Sequence, residues 1–526
     1  MKKFFSFCKT NTEKISLIII LVISTVWRLY KISDYMTFLG DEGRDVLVVR
    51  GILQGHFTLL GPRASAGNFF TGPIYYYMIA PFLWLFHYDP VGPAIFIAFL
   101  GIVTTFLVYY FGKKFFGIKA GLIAAALYAV SPLVVSYSRS SWNPNPMPFF
   151  SLVILLVLYK ALTAKSWKYF LLSGFLFGIA FQLHYIELFF AVIIAFFMLF
   201  GSIMTDKKQM IRRIIFQYLE FFVGFLVGFS PFLAFEARHG FPNTKTIVAF
   251  IGAGTASGEN VVHSSFFAIV YDVFVRLFGR LVFYYPSTDQ LFHINHLEIL
   301  LMQIGIIICA IASVIVLLKN KNKLAVLMTM SWLVFGVVLF GFYKKPIYDY
   351  YFEFMFPLPF LLIGNLISFL YDNQPRSNWG KKIKTLGKII SVIFFLFLFG
   401  LNLYGLPFKY PANRQKDQMK GIADFILSKT NNKPFNFALI TGGNSPHAYL
   451  YFFDVAGHDP VTIENTAVDP QRKTVTNQLF IVCESLPCHT LGNSLWEIAG
   501  FGRATISAEW NVSVVQIYKL EPYQGK

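Results

Sequence analysis

Long apolar segments separated by short polar loops run through most of the chain. A helix that crosses a bilayer needs about 20 mainly apolar residues, and segments of this kind recur up to residue 406. They lie near residues 15–32, 91–111, 120–138, 146–163, 169–184, 186–204, 214–236, 297–318, 324–343, 350–371 and 386–406. The pattern predicts an all-α polytopic membrane protein with about eleven spans.

The loops between these segments differ in charge from one side to the other. Alternate loops carry clusters of Lys and Arg, at residues 113–119, 165–168, 207–213, 319–323 and 376–384. Because basic loops tend to stay in the cytoplasm, we expect a multi-pass plasma-membrane protein with a cytoplasmic N-terminus and an outer C-terminus. A full crossing by residues 73–90 would reverse the alternation, so this segment is predicted to be a re-entrant or surface helix.

The pattern changes after residue 406 to that of an ordinary soluble chain. A helix-like stretch at 414–428 is followed by strand-like stretches at 435–443, 479–484 and 513–520. We therefore expect a transmembrane domain over residues 1–406 and an extracytoplasmic α/β domain over residues 407–526. Two of its cysteines, Cys483 and Cys488, can form a disulfide outside the cytoplasm or can both stay reduced.

Composition and charge agree with a lipid environment. The chain is 56% hydrophobic and 14% charged, and it contains 61 Phe residues, which excludes a soluble globular class. The formal charge of +18 comes from basic residues in the loops rather than along one helix face. This distribution argues against nucleic acid as a partner, and the cysteine spacing does not match a zinc site.

The first outer loop contains the strongest candidate chemistry. Asp41 and Glu42 follow the first span directly, and Arg44 lies on the same short stretch. A carboxylate here can act as a general base or hold a divalent metal such as Mg or Mn, and an arginine can bind phosphate. A solvated acidic pair without a function is the alternative.

Several motifs in order resemble the GT-C glycosyltransferases, particularly the ArnT-like and protein O-mannosyltransferase families. They are the acidic pair with RDVLVVRGILQGHF behind it, the aromatic GPIYYY, the segment GKKFFGIKAGLIAAALYAVSPL and the outer turn YSRSSWNPNP. The resemblance covers residues 15–205. It implies a GT-C-like fold, a polyprenyl-phosphate sugar donor, single-step inversion, and Asp41 as catalytic base or metal partner with Glu42 beside it.

The chain departs from the family at two positions. Asn145 occupies the place of an aspartate, and because an amide is not a base and binds metal less well than a carboxylate, metal dependence stays open. The family's lysine before the Pro-aromatic segment is also missing, so another cation must meet the phosphate. The candidates on the outer side, of which Arg139 is favoured, are Arg44, Arg63, Arg139, Lys344 and Lys345.

Further candidates lie at other outer turns. His184 and Glu187 flank one turn, and ionisable groups at this depth are functional candidates, although helix capping explains them equally well. Tyr350 belongs to an aromatic cluster that can stack on a sugar ring or form an interfacial belt. Glu353 lies close by without a counterpart in the family.

The sequence thus predicts a membrane glycosyltransferase that moves a sugar from a polyprenyl-phosphate donor to an extracytoplasmic acceptor, which can be a lipid, a protein or a cell-wall glycan. We place Asp41 and Glu42 in the catalytic group. The predicted substrate-binding residues are Arg44, Arg139, Asn145, His184, Lys344 and Tyr350. A polytopic transporter or lipid flippase is the first alternative, and an assembly protein with a membrane anchor is the second.

Overall fold

The chain is mostly helical, with a small sheet near its C-terminus. The computed structural model describes residues 11–64, 69–205, 210–252, 264–372 and 380–525. Its helices are α1 (Thr12–Leu29), α2 (Ile32–Tyr35), α3 (Gly40–Leu53), α4 (Ile74–Leu85), α5 (Val91–Phe116), α6 (Ile118–Val130), α7 (Pro132–Tyr137), α8 (Met147–Ala164), α9 (Trp167–Ala180), α10 (Glu187–Thr205), α11 (Met210–Gly228), α12 (Ser230–His239), α13 (Pro242–Gly252), α14 (Phe266–Val282), α15 (Thr288–Leu291), α16 (His296–Leu318), α17 (Lys323–Val338), α18 (Pro357–Asp372), α19 (Gly380–Gly405), α20 (Gln415–Lys429), α21 (His447–Val455) and α22 (Trp496–Phe501). Short 3-10 helices occur at Leu339–Phe342, Asp349–Met355 and Pro407–Lys409.

Each of the predicted apolar segments coincides with helix in the described residues. Within the ranges that the structure describes, 6 helices are long and apolar enough to cross a membrane, or up to 8 if each of two bent pairs counts as one span. The helices α1, α6 and α9, which we also predicted to span, do not meet that test. The chain is a multi-pass membrane protein; the orientation of its termini stays a prediction.

Proline explains why two predicted spans are bent. The axis turns by 74° between α11 and α12 and by 58° between Asp349–Met355 and α18. Pro231 lies in the first turn of α12, and Pro357 begins α18. A proline removes a helical hydrogen bond and clashes with the preceding turn, so the segments predicted at 214–236 and 350–371 are broken rather than continuous.

Small residues bring α9 and α11 into close contact. Gly174 and Gly178 of α9 face the backbone of α11, and Gly224 and Gly228 of α11 face the backbone of α9. A side chain on any of the four would overlap main-chain atoms of the other helix. Both helices therefore use the Gly-x-x-x-Gly spacing that permits close packing in a membrane.

The segment predicted to be a re-entrant or surface helix forms the separate helix α4. It has 12 residues, which at about 1.5 Å per residue is about 18 Å, well short of a hydrocarbon core of about 30 Å. The chain then turns before α5, which has 26 residues. The length of α4 agrees with the expectation that this segment does not cross the membrane.

The C-terminal α/β unit contains a mixed four-stranded sheet. The strands β1 (Asn436–Ile440), β2 (Leu479–Cys483), β3 (Ala504–Val512) and β4 (Val515–Pro522) lie in the order β1-β2-β4-β3. β1 and β2 are parallel, and the other pairs are antiparallel. Three strands were predicted, whereas β3 was not, although its residues ATISAEWNV alternate between apolar and polar as those of a strand do. A disulfide joins Cys483 and Cys488.

This α/β unit packs on the loop that follows α1 in the membrane part. Arg50 of α3 pairs with Asp454 of α21 at 3.0 Å, and Lys416 of α20 pairs with Asp89 at 3.0 Å. The aromatic ring of Phe38, which is fully buried, contacts the rings of two residues of α21. The α/β unit therefore lies over the segment that contains the predicted acidic pair.

Candidate functional site

Helix α3 presents the first-loop carboxylates in different environments. The Asp41 side chain is 55% exposed and lies 2.8 Å from the Arg44 guanidinium. The same guanidinium pairs with Asp45, a buried residue, at 2.7 Å. Burial lowers the pKa of Arg44, but the carboxylates of Asp45 and Asp41 outweigh this effect and raise that pKa above its usual range. Arg44 is thus a fixed positive charge that orients Asp41.

Glu42 differs from its neighbour because it is buried. Its Oε2 accepts a hydrogen bond from the backbone N–H of Leu39 at 3.0 Å, which stabilises the start of α3. Burial raises the pKa of Glu42 from 4.5 to about 7, since a charged carboxylate loses its hydration there. Glu42 can therefore hold or release a proton near neutral pH.

A cavity of about 500 Å³ opens beside this pair of carboxylates. Asp41 and Glu42 form one side of it, and the loop at 136–145 forms another. The third side is contributed by the C-terminal α/β unit. The lining residues are Thr37, Leu39, Gly40, Asp41, Glu42, Ser136, Tyr137, Ser140, Trp142, Asn145, Gly443, Asn444 and Ser445. None of these described lining residues is Lys or Arg, and several of them carry hydroxyl or amide groups. We call this the larger cavity.

Asp41 also lines a smaller cavity of about 90 Å³. Asp41 and Trp142 line both cavities. The residues lining the smaller one are Asp41, Arg44, Pro62, Arg63, Ala64, Thr71, Trp142, Asn143, His184, Tyr185 and Tyr350. Arg44 and Arg63 give this smaller cavity a basic wall, whereas the ionisable carboxyl groups that line the larger one belong to Asp41 and Glu42.

The structure brings His184 and Tyr350 together at the smaller cavity. The rings of Tyr350 and Trp142 are 4.3 Å apart between centroids, and the rings of Tyr350 and His184 are 5.6 Å apart. Burial lowers the pKa of His184 to about 3, so its ring is neutral at physiological pH. Its Nδ1 accepts a hydrogen bond from the Ile186 N–H at 3.3 Å. His184 therefore contributes a neutral polar surface rather than a cation.

Hydrogen bonding fixes the orientation of Asn145 in the larger cavity. Its Nδ2 donates to the backbone carbonyls of Tyr137 and Ser140, both at 2.7 Å. Only the amide nitrogen can face two carbonyl oxygens, because an oxygen there would be repelled. The geometry explains the departure from aspartate at this position, since a carboxylate could not make these two bonds.

Arg139 and Lys344 lie outside both cavities. The Arg139 guanidinium is buried and donates to the carbonyls of Trp27 and Tyr30, both at 2.6 Å, and its carbon lies 4.9 Å from the centre of the Phe408 ring. Burial lowers the pKa of Arg139 to about 10. In the structure, Arg139 thus caps the end of α1, and its predicted contact with phosphate stays a prediction. Lys344 is not among the residues that line either cavity.

The carboxylates do not form a metal-binding cluster. No group of three or more His, Cys, Asp or Glu side chains that could hold a metal ion occurs in the described part of the chain. Asp41 is paired with Arg44, Glu42 accepts a backbone N–H, and the Asn145 nitrogen faces two carbonyls. This donor set does not fit Mg or Mn, which prefer several converging oxygen ligands.

The comparisons with known proteins support the fold. A family model described as dolichyl-phosphate-mannose-protein mannosyltransferase matches residues 71–235, which is less than half of the chain. The structure of ArnT from Cupriavidus metallidurans bound to undecaprenyl phosphate is similar with a TM-score of 0.60 and 12% identity, over 97% of this chain and 98% of that chain. No curated relative is matched by sequence.

Oligosaccharyltransferases from Archaeoglobus fulgidus share the fold as well. The apo form has a TM-score of 0.54 and 13% identity, over 86% of this chain and 65% of that chain. A form tethered to an acceptor peptide has a TM-score of 0.50 and 13% identity, over 90% of this chain and 69% of that chain. These likenesses confirm the predicted GT-C-like fold with its C-terminal α/β unit.

Part of the site was not predicted from the sequence. Trp142 lies in the outer turn that resembles the GT-C family, but the sequence does not show that its side chain lines both cavities. Asn444 and Ser445 follow the carboxyl end of β1 in the loop TGGNS. Loops at the carboxyl ends of parallel strands often carry binding residues. The position of this loop directly after a predicted strand was therefore the sequence signal that could have indicated Asn444 and Ser445.

Proposed function

We propose that the chain is a membrane glycosyltransferase that moves a sugar from a polyprenyl-phosphate donor to a hydroxyl group of an acceptor. One observation carries the proposal: Asp41 lines both a cavity that contains two arginines and a larger cavity whose remaining walls carry hydroxyl and amide groups. A transfer reaction needs a cationic side for the leaving phosphate and a side that admits the acceptor. The likeness to ArnT, which was solved with undecaprenyl phosphate, supports a lipid-linked donor.

The donor phosphate lies against the basic wall of the smaller cavity. Arg44 and Arg63 balance the charge that grows on the phosphate as its bond to the sugar breaks. The ring of Tyr350, packed on Trp142, offers an aromatic face to the sugar. Neutral His184 can exchange hydrogen bonds with sugar hydroxyls without adding charge.

The acceptor approaches from the larger cavity. Its hydroxyl oxygen forms a bond to the anomeric carbon, while the bond from that carbon to the phosphate oxygen breaks and the phosphate leaves with the electron pair. Asp41 accepts the hydroxyl proton. One displacement inverts the configuration of the sugar. The hydroxyl and amide groups on the walls opposite the carboxyl groups favour an uncharged, hydroxyl-bearing acceptor group, which can belong to a lipid, a protein or a wall glycan.

The test is a transfer assay with purified protein and polyprenyl-phosphate sugar. The donor is taken from membrane lipids of a deletion strain, where mass spectrometry is expected to find it accumulated. Asp41→Asn should lower transfer about 100-fold or more, the usual effect of losing a general base, while the protein stays folded. Asp417→Asn, which alters an exposed aspartate of α20, is the matched control. Wild-type activity in Asp41→Asn would refute the assigned role.

A further inference from the structure

The helix with the catalytic carboxylates has no side chain of its own that accepts the N–H of its first residue, Gly40. The residue before α3 is Leu39, whose side chain has no hydrogen-bond acceptor, although the first backbone N–H groups of a helix need acceptors. The Leu39 N–H is satisfied by Glu42 at 3.0 Å. The Gly40 N–H donates to Oδ1 of Asn444 at 2.9 Å. Asn444 belongs to the C-terminal α/β unit, so the cap comes from the other end of the chain.

A second residue of the α/β unit fixes the orientation of this amide. Nδ2 of Asn444 donates to both carboxylate oxygens of Glu484, at 2.9 and 3.1 Å. Glu484 also accepts hydrogen bonds from the Thr441 and Tyr449 hydroxyls, both at 2.8 Å. Because the amide nitrogen faces a carboxylate, the amide oxygen must face Gly40. Glu484, Asn444 and Gly40 thus form a continuous chain of hydrogen bonds that ends beside Asp41.

Two glycines around the carboxylates make this approach sterically feasible. A methyl group on Gly40 would overlap the Ser445 hydroxyl, and one on Gly43 would overlap the backbone of Ala448 at the start of α21. The sequence Gly-Asp-Glu-Gly therefore places a glycine at two points where the α/β unit approaches the first turn of α3. A side chain at either glycine would separate Asn444 from the start of the helix.

We propose that Asn444 and Glu484 are positioning residues, which hold the first turn of α3 so that Asp41 faces the substrates. The role in catalysis rests on the proposed transferase function, whereas the cap itself is a property of the fold. Neither residue reacts. Their effect is transmitted through the Gly40 N–H to the adjacent Asp41.

The first experiment measures the cap independently of activity. Hydrogen exchange followed by mass spectrometry should show faster exchange of the amides at residues 40–43 in Asn444→Ala than in wild type, with α8 and α10 unchanged. Unchanged exchange at residues 40–43 would overturn the inference, whatever the enzyme does. Glu509→Gln is the control, because Glu509 also accepts a tyrosine hydroxyl, at 3.2 Å, but lies exposed at a distant part of the same sheet.

The second experiment measures transfer kinetics. Asn444→Ala should lower kcat about tenfold, the usual effect of one hydrogen bond to a positioned group, with the donor KM and the Tm close to wild type. Asn444→Asp should lower kcat as well, because it places two carboxylates together. Adding Glu484→Gln to Asn444→Asp restores an amide beside a carboxylate, so kcat should recover.

The outcomes separate the two proposals. A wild-type protein that transfers no sugar contradicts the proposed function, while the exchange experiment still decides whether the cap exists. An active wild type with an equally active Asn444→Ala overturns the positioning role. If kcat and Tm fall together in Asn444→Ala and kcat does not recover in the double variant, the two residues contribute to general stability. That result would also overturn the positioning role.

Discussion

The buried position of Glu42 makes the stability of the protein depend on pH in a defined direction. Below pH 4.5 the carboxyl group is protonated in both the folded and the unfolded chain. Between 4.5 and about 7 the unfolded chain loses this proton and the folded chain keeps it, so the free energy of unfolding falls as the pH rises. The pKa shift corresponds to a decrease of about 3 kcal/mol in the free energy of unfolding. This decrease is complete above the folded-state pKa.

Glu42→Gln removes this titration while keeping an oxygen that can accept the Leu39 N–H. The free energy of unfolding of the variant minus that of wild type should increase by about 3 kcal/mol as the pH rises from 4.5 to 8. With about 2.1 cal/mol/K of unfolding entropy per residue over 526 residues, the Tm advantage should grow by about 3 °C.

Thermal unfolding of purified protein in detergent at pH 5 and pH 8 measures this difference. Comparing each variant with wild type at the same pH cancels the titration of every other group. Glu509→Gln should show no such change, because Glu509 is exposed. If the Tm advantage of Glu42→Gln does not grow with pH, Glu42 is not held in its protonated form and the reasoning fails. Transfer activity should fall less in Glu42→Gln than in Asp41→Asn.

Two further predictions concern residues whose hydrogen bonds the structure defines. Asn145→Asp should lower the free energy of unfolding by about 1–3 kcal/mol, because the new carboxylate faces two carbonyl oxygens and loses both bonds; a chemical-denaturation series measures this, and an unchanged midpoint would contradict the assigned amide orientation. Arg139→Ala should lower the Tm without changing the donor KM, because the guanidinium caps α1 rather than meeting phosphate. A raised donor KM at an unchanged Tm would return Arg139 to the phosphate site.

The helices were predictable because a bilayer imposes a minimum apolar length on every span. Each apolar segment of the sequence is helical in the described residues. The bends at Phe229 and Phe356 were not foreseen, although the prolines that follow them disfavour a straight helix. Strand β3 was missed although the sequence contains its signal, because the apolar residues of ATISAEWNV recur at every second position, which is the period of a strand.

The local part of the site was predictable, and the distant part was not. Asp41 and Arg44 are close in sequence, so their pairing follows from one helical turn. Nothing in the sequence around Asn444 indicates that it meets Gly40, since that contact depends on how the α/β unit docks. The partners of Arg139 were not predictable for a related reason, because they are carbonyl groups at the end of α1, which a sequence pattern does not show.

The participation of Asn444 has a consequence for the time at which the site can exist during synthesis. Gly40 and Asn444 are 404 residues apart, and a ribosome that adds about 5–20 residues per second needs roughly 20–80 s to pass from one to the other. During that interval the early helices can enter the membrane, while the cavity still lacks its third wall. A nascent or truncated chain therefore cannot acquire a complete site before its last segment has folded and docked.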